Sequence, residues 1–378
     1  MTPSLTEAFT SLHGDSPVVF RAPGRVNLIG EHTDYNDGFV MPVALDLETR
    51  VAVSPRSDGR LHLSSLDVPA EPYLVDLDGP SPAPRGQWID YPVGVALMLR
   101  LAGVRVEGAN LLVSSTVPLG AGLSSSAALE VSVAMALLHL AGACLAPSDL
   151  ARLCQRAENE FVGMPCGIMD QYASVLGQQG HALLIDCRSL QAEALRLPDE
   201  HCVVICNSMV RHALGSSEYA ARRRDCEEGV AVLRQHFPQV RALRDLEMWQ
   251  LDARRDTLEP RIYRRCRHVI GEDERVQAAA AALREGRLEL FGALMGASHD
   301  SLRDDYEVSC RELDTLVDLA LEADGVLGTR MTGGGFGGCT VSLVERGAVD
   351  AFSRFIKAAY HEATGHIPDL YICRPSMG

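Results

Sequence analysis

Short apolar runs rich in β-branched residues recur along the chain and predict buried strands. The clearest runs cover residues 17–20 (PVVF), 110–116 (NLLVSST), 181–186 (HALLID), 201–206 (HCVVIC) and 339–344 (CTVSLV). Stretches with helical spacing lie between these runs. The pattern therefore predicts a fold that mixes helices and strands.

Three segments have the composition or spacing of helices. Residues 124–142 are rich in Ala and Leu with an apolar stripe, and they predict a long helix. Within residues 150–161 the apolar side chains fall on one face, and Glu158 and Glu160 lie on opposite edges of it. Periodicity therefore does not choose between these two acids. Residues 167–176 (GIMDQYASVL) predict a short helix.

The chain is long for a single core, so two lobes are predicted. Its 378 residues are 47% apolar, which is enough for a large buried interior. The segment GQQG at residues 177–180 separates a predicted helix from a predicted strand. It marks the predicted boundary between lobes of residues 1–177 and 178–378. Residues 244–275 are rich in Arg, Glu and Asp and predict a solvent-facing helical surface.

The charge and the cysteine content exclude several classes of protein. The chain has 35 basic and 50 acidic side chains, and its net charge of −15 disfavours nucleic acid or an acidic membrane as a partner. Its 11 cysteines include no CxxC pair, which is typical of reduced thiols in the cytoplasm. No signal peptide and no membrane-spanning stretch are predicted. The sequence does not predict an oligomeric state, and a monomer is compatible with it.

Residues 118–129 (PLGAGLSSSAAL) have the features of a phosphate-binding loop that runs into a helix. Glycines let a backbone approach a ligand closely, and the free N–H groups of a helix N-terminus bind anions. The stretch has no lysine, so a bound phosphate needs positive charge from elsewhere, most simply Mg²⁺ and an arginine. Serines at a helix start are also ordinary caps, and that alternative stays open for this stretch alone.

Two further stretches carry candidate chemistry. Residues 21–38 (RAPGRVNLIGEHTDYNDG) crowd arginines, acids and a histidine around apolar residues, which suits a loop that closes over a polyhydroxylated ligand. Residues 331–341 (MTGGGFGGCTV) suit a backbone that crosses close to a phosphate or to the first glycine loop. A solvated turn and a flexible hairpin are the respective alternatives.

Together, and in their order along the chain, the three stretches resemble the three motifs of the GHMP kinase superfamily over nearly the full chain. Within that group, GRVNLIGEHTDY at residues 24–35 is similar to the signature of the galactokinase family. Residues 207–228 (NSMVRHALGSSEYAARRRDCEE) and 298–317 (SHDSLRDDYEVSCRELDTLV) also resemble that family. Ala213 and Gly271 stand where the family pattern has hydroxyl residues, but neither has an assigned role.

The resemblance implies an α+β fold with two lobes, the GHMP kinase fold. The N-terminal lobe would contain a left-handed βαβ crossover and the first two motifs. A ferredoxin-like C-terminal lobe would carry the third, and the active site would lie between the lobes. Such a crossover departs from the usual handedness rule. The implied reaction transfers the γ-phosphate of ATP to the C1 hydroxyl of galactose.

The resemblance also implies residue roles. Asp170 would accept the proton of the C1 hydroxyl, and Arg25 would stabilise charge beside it. Without the resemblance, the simpler interpretation of Asp170 is an acid at a helix start that complements the helix dipole. Ser126 and Glu158 would bind Mg²⁺, which takes hard oxygen ligands, and a salt bridge is the alternative role of Glu158. The implied galactose contacts are Glu31, His32, Thr33, Asp34, the Gly167 backbone and Tyr219, and the implied ATP contacts are Gly120, Ala121, Gly122, Leu123, Ser124, Ser125 and Ser126.

Several alternatives stay open at this stage. The ring of Tyr219 suits core packing as well as a sugar contact, and Trp88 suits a structural role as well as an adenine pocket. An N-acetylgalactosamine kinase would share these motifs. A non-catalytic galactokinase-like sugar sensor belongs to another class, but the intact SSSAAL segment, Glu158 and Asp170 favour an enzyme.

Overall fold

The computed structural model describes residues 3–68, 71–79, 82–211 and 215–378, without the side chains of residues 211 and 215–217. The described strands are β1 (Val18–Asn27), β2 (Phe39–Val40), β3 (Pro42–Pro55), β4 (Arg60–Ser65), β5 (Tyr73–Asp76), β6 (Ala109–Ser115), β7 (His181–Asp186), β8 (Ala192–Arg196), β9 (His201–Arg211), β10 (Val326–Thr332), β11 (Gly337–Glu345) and β12 (Asp369–Cys373). The described helices are α1 (Leu5–His13), α2 (Asp90–Leu101), α3 (Ser125–Leu140), α4 (Pro147–Arg156), α5 (Met169–Leu176), α6 (Gly215–Arg234), α7 (Met248–Asp252), α8 (Pro260–Arg284), α9 (Leu288–Ser301), α10 (Arg311–Glu322) and α11 (Val349–Thr364). The predicted mixture of helices and strands is confirmed.

The first sheet supports the N-terminal motifs. Its strand order is β1-β3-β6-β4-β5, and its neighbours are antiparallel except for the parallel pair β4–β6. A parallel pair needs a crossover connection, and here the connection contains α2. The left-handed sense of that crossover stays a prediction. Helix α3 packs against β1 and β3, and Leu61, Leu111 and Leu137 belong to the buried core on this side.

The second sheet has the antiparallel order β10-β11-β9-β12. Its strand β9 is buried on both faces, because Val204 packs in a core with Phe352 of α11 and Ile205 packs in a core with Phe291 of α9. Burial on both faces explains why this strand reads as a continuous apolar run rather than as an alternating pattern.

A third sheet crosses the predicted lobe boundary. Its order is β2-β7-β8, and β2 lies before the boundary whereas β7 and β8 lie after it. The end of the chain also returns to the first half, since Gly378 N donates to Gly177 O at 2.9 Å. The two halves are therefore joined by backbone hydrogen bonds, and the division at residues 177 and 178 stays a prediction.

The charged segment at residues 244–275 is helical, but the prediction that it faces solvent is wrong for α8. Arg265, His268 and Glu272 are at most 2% exposed. Buried charges persist where partners compensate them, and Glu272 accepts from Gly30 N at 2.9 Å and from a serine hydroxyl at 2.5 Å. Composition cannot reveal such partners. Neither α8 nor any other described helix is long and apolar enough to cross a membrane.

Helix α9 touches β10 through two glycines. A Cβ atom added to Gly292 would lie 1.8 Å from Leu327 O, and one added to Gly328 would lie 2.5 Å from Gly292 Cα. Both distances are far below van der Waals contact. Glycine at these two positions therefore permits the close approach that places β10 beside the candidate site.

We predict that Gly292→Ala lowers the free energy of unfolding by about 1–3 kcal/mol, because the added methyl group must push α9 away from β10. Urea-induced unfolding measures the change. The matched control is Gly296→Ala on the same helix, where a Cβ atom meets open space. It is expected to be neutral or to stabilise by up to about 1 kcal/mol. Similar effects of the two substitutions would contradict this account of the contact.

Candidate active site

A cavity of about 510 Å³ is lined by residues of the stretches at 21–38 and 331–341, together with residues of other segments. Gly333 and Gly334 of the third motif form part of its wall. The predicted site residues that line it are Arg25, Glu31, His32, Asp34, Glu158, Gly167, Asp170 and Tyr219. The fold thus brings together residues that are separated by most of the length of the chain.

Arg25 and Asp170 form an ion pair in the wall of this cavity. Arg25 extends from β1, and Asp170 lies in the first turn of α5. Nε and Nη2 of Arg25 lie 2.8 and 2.6 Å from Asp170 Oδ1. The side chain of Arg25 is 7% exposed and that of Asp170 is 23% exposed, so solvent screens the pair less than it screens a surface pair. The pair fixes the orientation of the carboxylate.

The first glycine loop reaches the same carboxylate. Ser124 Oγ donates to Asp170 Oδ2 at 2.5 Å, and Arg25 Nη1 donates to Gly122 O at 2.7 Å. Ser124 has a left-handed backbone (φ 57°), which is uncommon for a residue other than glycine, and its side chain does not cap α3. The alternative that this serine is an ordinary helix cap is therefore wrong.

The remaining residues of the predicted ATP loop lie around this contact. Gly120 and Gly122 have positive φ angles of 68° and 76°, which glycine adopts at little cost. Leu123 O accepts from Arg25 N at 3.1 Å. The loop is therefore joined by its backbone to the strand that carries Arg25.

The third motif packs on this loop. Cys339 Sγ donates to Ala121 O at 3.0 Å, and a Cβ atom on Gly333 would lie 3.7 Å from Gly122 O. The prediction that the third glycine-rich stretch crosses close to the first glycine loop is thus confirmed, and the stretch also forms the turn of the antiparallel hairpin of β10 and β11.

Glu158 lies in the site and Glu160 lies outside it. Glu158 is buried and lines the cavity, whereas Glu160 is exposed and pairs with Arg156 at 2.8 Å. The Ser126 hydroxyl is near enough to the Glu158 carboxylate to favour its charged form, so the two predicted metal ligands are neighbours. Burial and the nearby Asp170 carboxylate raise the pKa of Glu158 to about 7. The salt-bridge alternative for Glu158 finds no cation in the described contacts of its carboxylate.

A buried amide supports Glu158 from behind. Gln171 Nε2 donates to Glu158 Oε2 at 2.8 Å and to Glu130 Oε2 at 3.0 Å. Glu130 is fully buried in α3, and burial together with Glu158 raises its pKa well above the usual range. A raised pKa favours the neutral form, which avoids placing two full charges on one amide.

The stretch at residues 21–38, called the sugar motif from here on, forms a polar wall of the cavity. Glu31 Oε1 accepts from Thr332 Oγ1 at 3.0 Å and from Gly333 N at 2.8 Å. His32 Nδ1 lies 2.8 Å from the Tyr35 hydroxyl. Burial, with a smaller effect of His268, lowers the pKa of His32 well below its usual range, so the imidazole is neutral at neutral pH.

Asp34 and Gly167 touch each other. A Cβ atom on Gly167 would lie 1.8 Å from Asp34 Oδ2, so any side chain at this position would displace the carboxylate. Burial and the Asp170 carboxylate raise the pKa of Asp34 to about 7. This carboxyl group therefore changes charge near neutral pH.

Thr33 and Tyr219 differ from the other predicted sugar contacts. The Thr33 hydroxyl lies 2.9 Å from Gly30 O and 2.6 Å from Phe39 O, and it is not part of the cavity wall described above. Thr33 therefore braces the loop. The Tyr219 ring lies 5.5 Å from the His32 ring and also lines the cavity, so it combines packing with access to a ligand.

A second cavity of about 420 Å³ lies next to the glycine loop. Its lining includes Trp88, Leu119, Ser125 and Ser126. Met164 lines both cavities, so the two are neighbours. This arrangement places Trp88 beside the predicted phosphate loop, where an adenine group can pack.

Sequence analysis missed residues that support the site from behind, namely Glu130, Gln171, Arg330 and Thr332. Glu130 carried a usable signal, because it is a lone carboxylate in an apolar helix. Arg330 and Thr332 carried none beyond their position beside the third glycine-rich stretch. Residues 212–214 of the predicted galactokinase-like motif, including Ala213, lie outside the described residues.

Models of known families match three parts of the chain. The galactokinase galactose-binding signature matches residues 7–55. The N-terminal domain of GHMP kinases matches residues 90–178, and the C-terminal domain of GHMP kinases matches residues 279–362. The matches occur in the order that the sequence motifs predict.

Curated relatives and solved structures agree with these matches. A galactokinase from Roseiflexus sp. is 49% identical over all of this chain and 96% of its own length, and the Homo sapiens galactokinase is 49% identical over 93% of this chain and 90% of its own. The crystal structure of Lactococcus lactis galactokinase complexed with galactose superposes with a TM-score of 0.95 at 36% identity, covering 99% of this chain and 98% of that one. Methanococcus jannaschii mevalonate kinase, at 18% identity and a TM-score of 0.68 over 95% of this chain and 98% of its own, shares the fold. The predicted GHMP kinase fold is confirmed, and the chain belongs to the galactokinase family.

Proposed function

We propose that the chain transfers the γ-phosphate of ATP to the C1 hydroxyl of galactose, which gives galactose 1-phosphate and ADP. The observation that carries the proposal is the Asp170 carboxylate, which is held by Arg25 and by Ser124 of the glycine loop in the wall of a cavity lined by the sugar motif. This carboxylate lies between a loop suited to phosphate and a pocket suited to hydroxyl groups. A sugar kinase needs both, because its substrates are a nucleotide with phosphate groups and a sugar with hydroxyl groups.

The sugar side of the cavity suits a polyhydroxylated ligand. Glu31 and Asp34 offer carboxylate oxygens that accept hydrogen bonds from hydroxyl groups, and neutral His32 has one donor and one acceptor nitrogen. Glu31 and His32 are buried, so an analogue that leaves one of them unpaired loses binding energy. We expect Gly167 to contribute through its backbone and Tyr219 to close the pocket.

Asp170 is the proposed catalytic base. Its carboxylate would accept the proton of the C1 hydroxyl while that oxygen attacks the γ-phosphorus. Arg25 donates to the same carboxylate and carries a fixed positive charge next to the path of the phosphoryl group. Phosphoryl transfer depends mainly on positioning and on such charges, because the protein has little covalent work to do.

The glycine loop at residues 120–126 is the proposed phosphate site. Its glycines allow close backbone approach, and the N-terminus of α3 directs free N–H groups and the positive end of its dipole at the loop. The cavity beside Trp88 would hold the adenine. In this arrangement Ser125 and Ser126 lie between the two parts of ATP.

Ser126 and Glu158 fit Mg²⁺ as its protein ligands. A hydroxyl and a carboxylate are hard oxygen ligands, and Mg²⁺ keeps water and phosphate oxygens in its other positions. The buried Glu158 carboxylate, whose pKa is about 7, has no arginine or lysine among its described contacts, and a cation would favour its charged form. When bound, Mg²⁺ would supply the positive charge that the loop lacks without a lysine.

The proposal extends to location and assembly. Thiols outside disulfides, among them those of the buried Cys154, Cys206 and Cys226, suit a protein of the cytoplasm. A monomer is compatible with the proposed chemistry.

The direct test of the proposed function is ADP release with a panel of sugars. We predict that galactose supports turnover and that glucose, its C4 epimer, has a kcat/KM at least about 100-fold lower, because the epimer leaves buried polar groups unpaired. Chelation of Mg²⁺ is expected to stop the reaction. Equal turnover of glucose and galactose would refute the assignment, and faster turnover of N-acetylgalactosamine would favour a kinase for that sugar.

We also predict that galactose binding weakens as the pH falls through 7. The pKa of Asp34 is about 7. Above this pH the carboxylate is charged and accepts hydrogen bonds from sugar hydroxyls, and below it the group becomes neutral. The dissociation constant of galactose is expected to rise about tenfold from pH 8 to pH 6. Calorimetry without nucleotide measures it and avoids effects of Glu158 on Mg-ATP.

Asp34→Asn is the control for this pH dependence. The variant is expected to bind galactose weakly and with a flat pH profile, because the neutral amide does not titrate. His32 is not expected to contribute, since its pKa lies well below this range. Wild-type binding that does not change between pH 8 and pH 6 would show that Asp34 does not act through its charge.

A further inference from the structure

Strand β10 holds Glu31 from behind the sugar pocket. Glu31 Oε1 accepts from Gly333 N at 2.8 Å and lies 3.0 Å from Thr332 Oγ1, whose single proton is shared between Glu31 and Asn27 O, also at 3.0 Å. None of the described residues donates to the other carboxylate oxygen, Oε2. The Glu31 carboxylate lines the cavity, so one oxygen is occupied by the protein while the other is available to a ligand.

Arg330 supports the same carboxylate from two positions earlier on β10. Its side chain is fully buried, and Nη1 lies 3.6 Å from Glu31 Oε1 and 3.3 Å from Asn27 O. Within the described part of the chain, Arg330 Nε and Nη2 have no hydrogen-bond partner. A buried cation with unpaired donors is costly, so its presence needs a compensating role.

The charge of Arg330 acts on the groups around the sugar motif. Although burial favours the neutral form of Glu272, the guanidinium groups of Arg275 and Arg330 are among the causes that hold the pKa of Glu272 at about 2. Glu272 in turn accepts from Gly30 N, in the backbone next to Glu31. Arg330 is thus the buried cation behind a loop that presents acids to the ligand.

We propose that Arg330 and Thr332 are positioning residues for sugar recognition. Thr332 hydrogen-bonds to Oε1 of Glu31, and Arg330 compensates the buried charge of the Glu31 carboxylate. Oε2 therefore faces a sugar hydroxyl in a fixed direction. This role rests on the proposed galactokinase function. It also gives the third motif a second task, since Gly333 binds Glu31 while the same loop packs on the phosphate loop at Gly122.

The test uses Thr332→Val, which keeps the shape of the side chain and removes its hydroxyl. A hydrogen bond to a charged group is worth about tenfold to a hundredfold in an equilibrium constant. We therefore expect the galactose dissociation constant, measured by calorimetry without ATP, to rise about tenfold or more. The KM for ATP is expected to stay within about twofold of wild type.

Arg330 is tested with a pair of substitutions. Arg330→Met keeps an apolar stem but removes the charge, and it is expected to weaken galactose binding further than Thr332→Val does. Arg330→Lys keeps the charge without the planar fork, so it is expected to restore part of the affinity. This rescue separates a role in positioning Glu31 from a role in packing, because Met fills the space at least as well as Lys.

Thr329→Val on the same strand is the matched control. Thr329 is also buried, but its Oγ1 accepts from Ser342 Oγ at 2.9 Å and has no described contact with Glu31. Its galactose affinity is expected to match wild type. If β10 affected binding only through general stability, the two Thr→Val variants would lose affinity together.

Two results would overturn the proposal: a Thr332→Val variant that binds galactose within about twofold of wild type, or one that loses galactose and ATP affinity equally. Thr332→Val decides the matter even if Arg330→Met fails to fold. Wild-type ADP release with galactose, assayed in parallel, separates this result from a failure of the proposed function. If the wild type phosphorylates galactose and Thr332→Val binds galactose as the wild type does, only the positioning role is refuted.

Discussion

The Asp170 carboxylate is held on both oxygens, and the rest of the site depends on this constraint. Arg25 binds one oxygen and Ser124 binds the other, while Arg25 also donates to the carbonyl of Gly122. The end of β1, the glycine loop and the start of α5 are thereby tied into one network. Charge-assisted hydrogen bonds of this kind are stronger than neutral ones, so the carboxylate has little freedom to turn.

The same network accounts for a phosphate loop that has no lysine. The chain carries a net charge of −15, so an anion can be bound only where local groups reverse the overall field. In the proposed function, backbone N–H groups at the α3 N-terminus, Arg25 and a metal ion held by Ser126 and Glu158 would provide such groups. On the sugar side the acids are instead held by donors behind them, with Thr332 and Gly333 on Glu31.

Much of this site could be predicted from the sequence, because its motifs are local. The strands, the glycine loops and the polar loop at residues 21–38 depend on spacing and on short-range backbone chemistry. The choice between Glu158 and Glu160 could not be made from their spacing, because both lie at the edge of one helical face. Only the packing of the helix puts Glu158 in the cavity. Periodicity cannot make such a choice when the partner surface is unknown.

Long-range pairing explains the other differences from the sequence analysis. Arg330 and the charged residues of α8 are buried because partners far away in the chain compensate them, and composition alone assigned that helix to the surface. Ser124 was predicted to contact ATP, and its left-handed backbone and its hydrogen bond to Asp170 arise from the tertiary network. Its ATP contact stays a prediction.

The most direct measurement for the whole account is turnover and Mg-ATP binding on one purified, folded Asp170→Asn variant. We expect normal Mg-ATP binding with kcat lower by about 10²–10⁴-fold, the typical contribution of a general base. A variant that binds Mg-ATP normally and phosphorylates galactose within a few-fold of wild type would contradict the account.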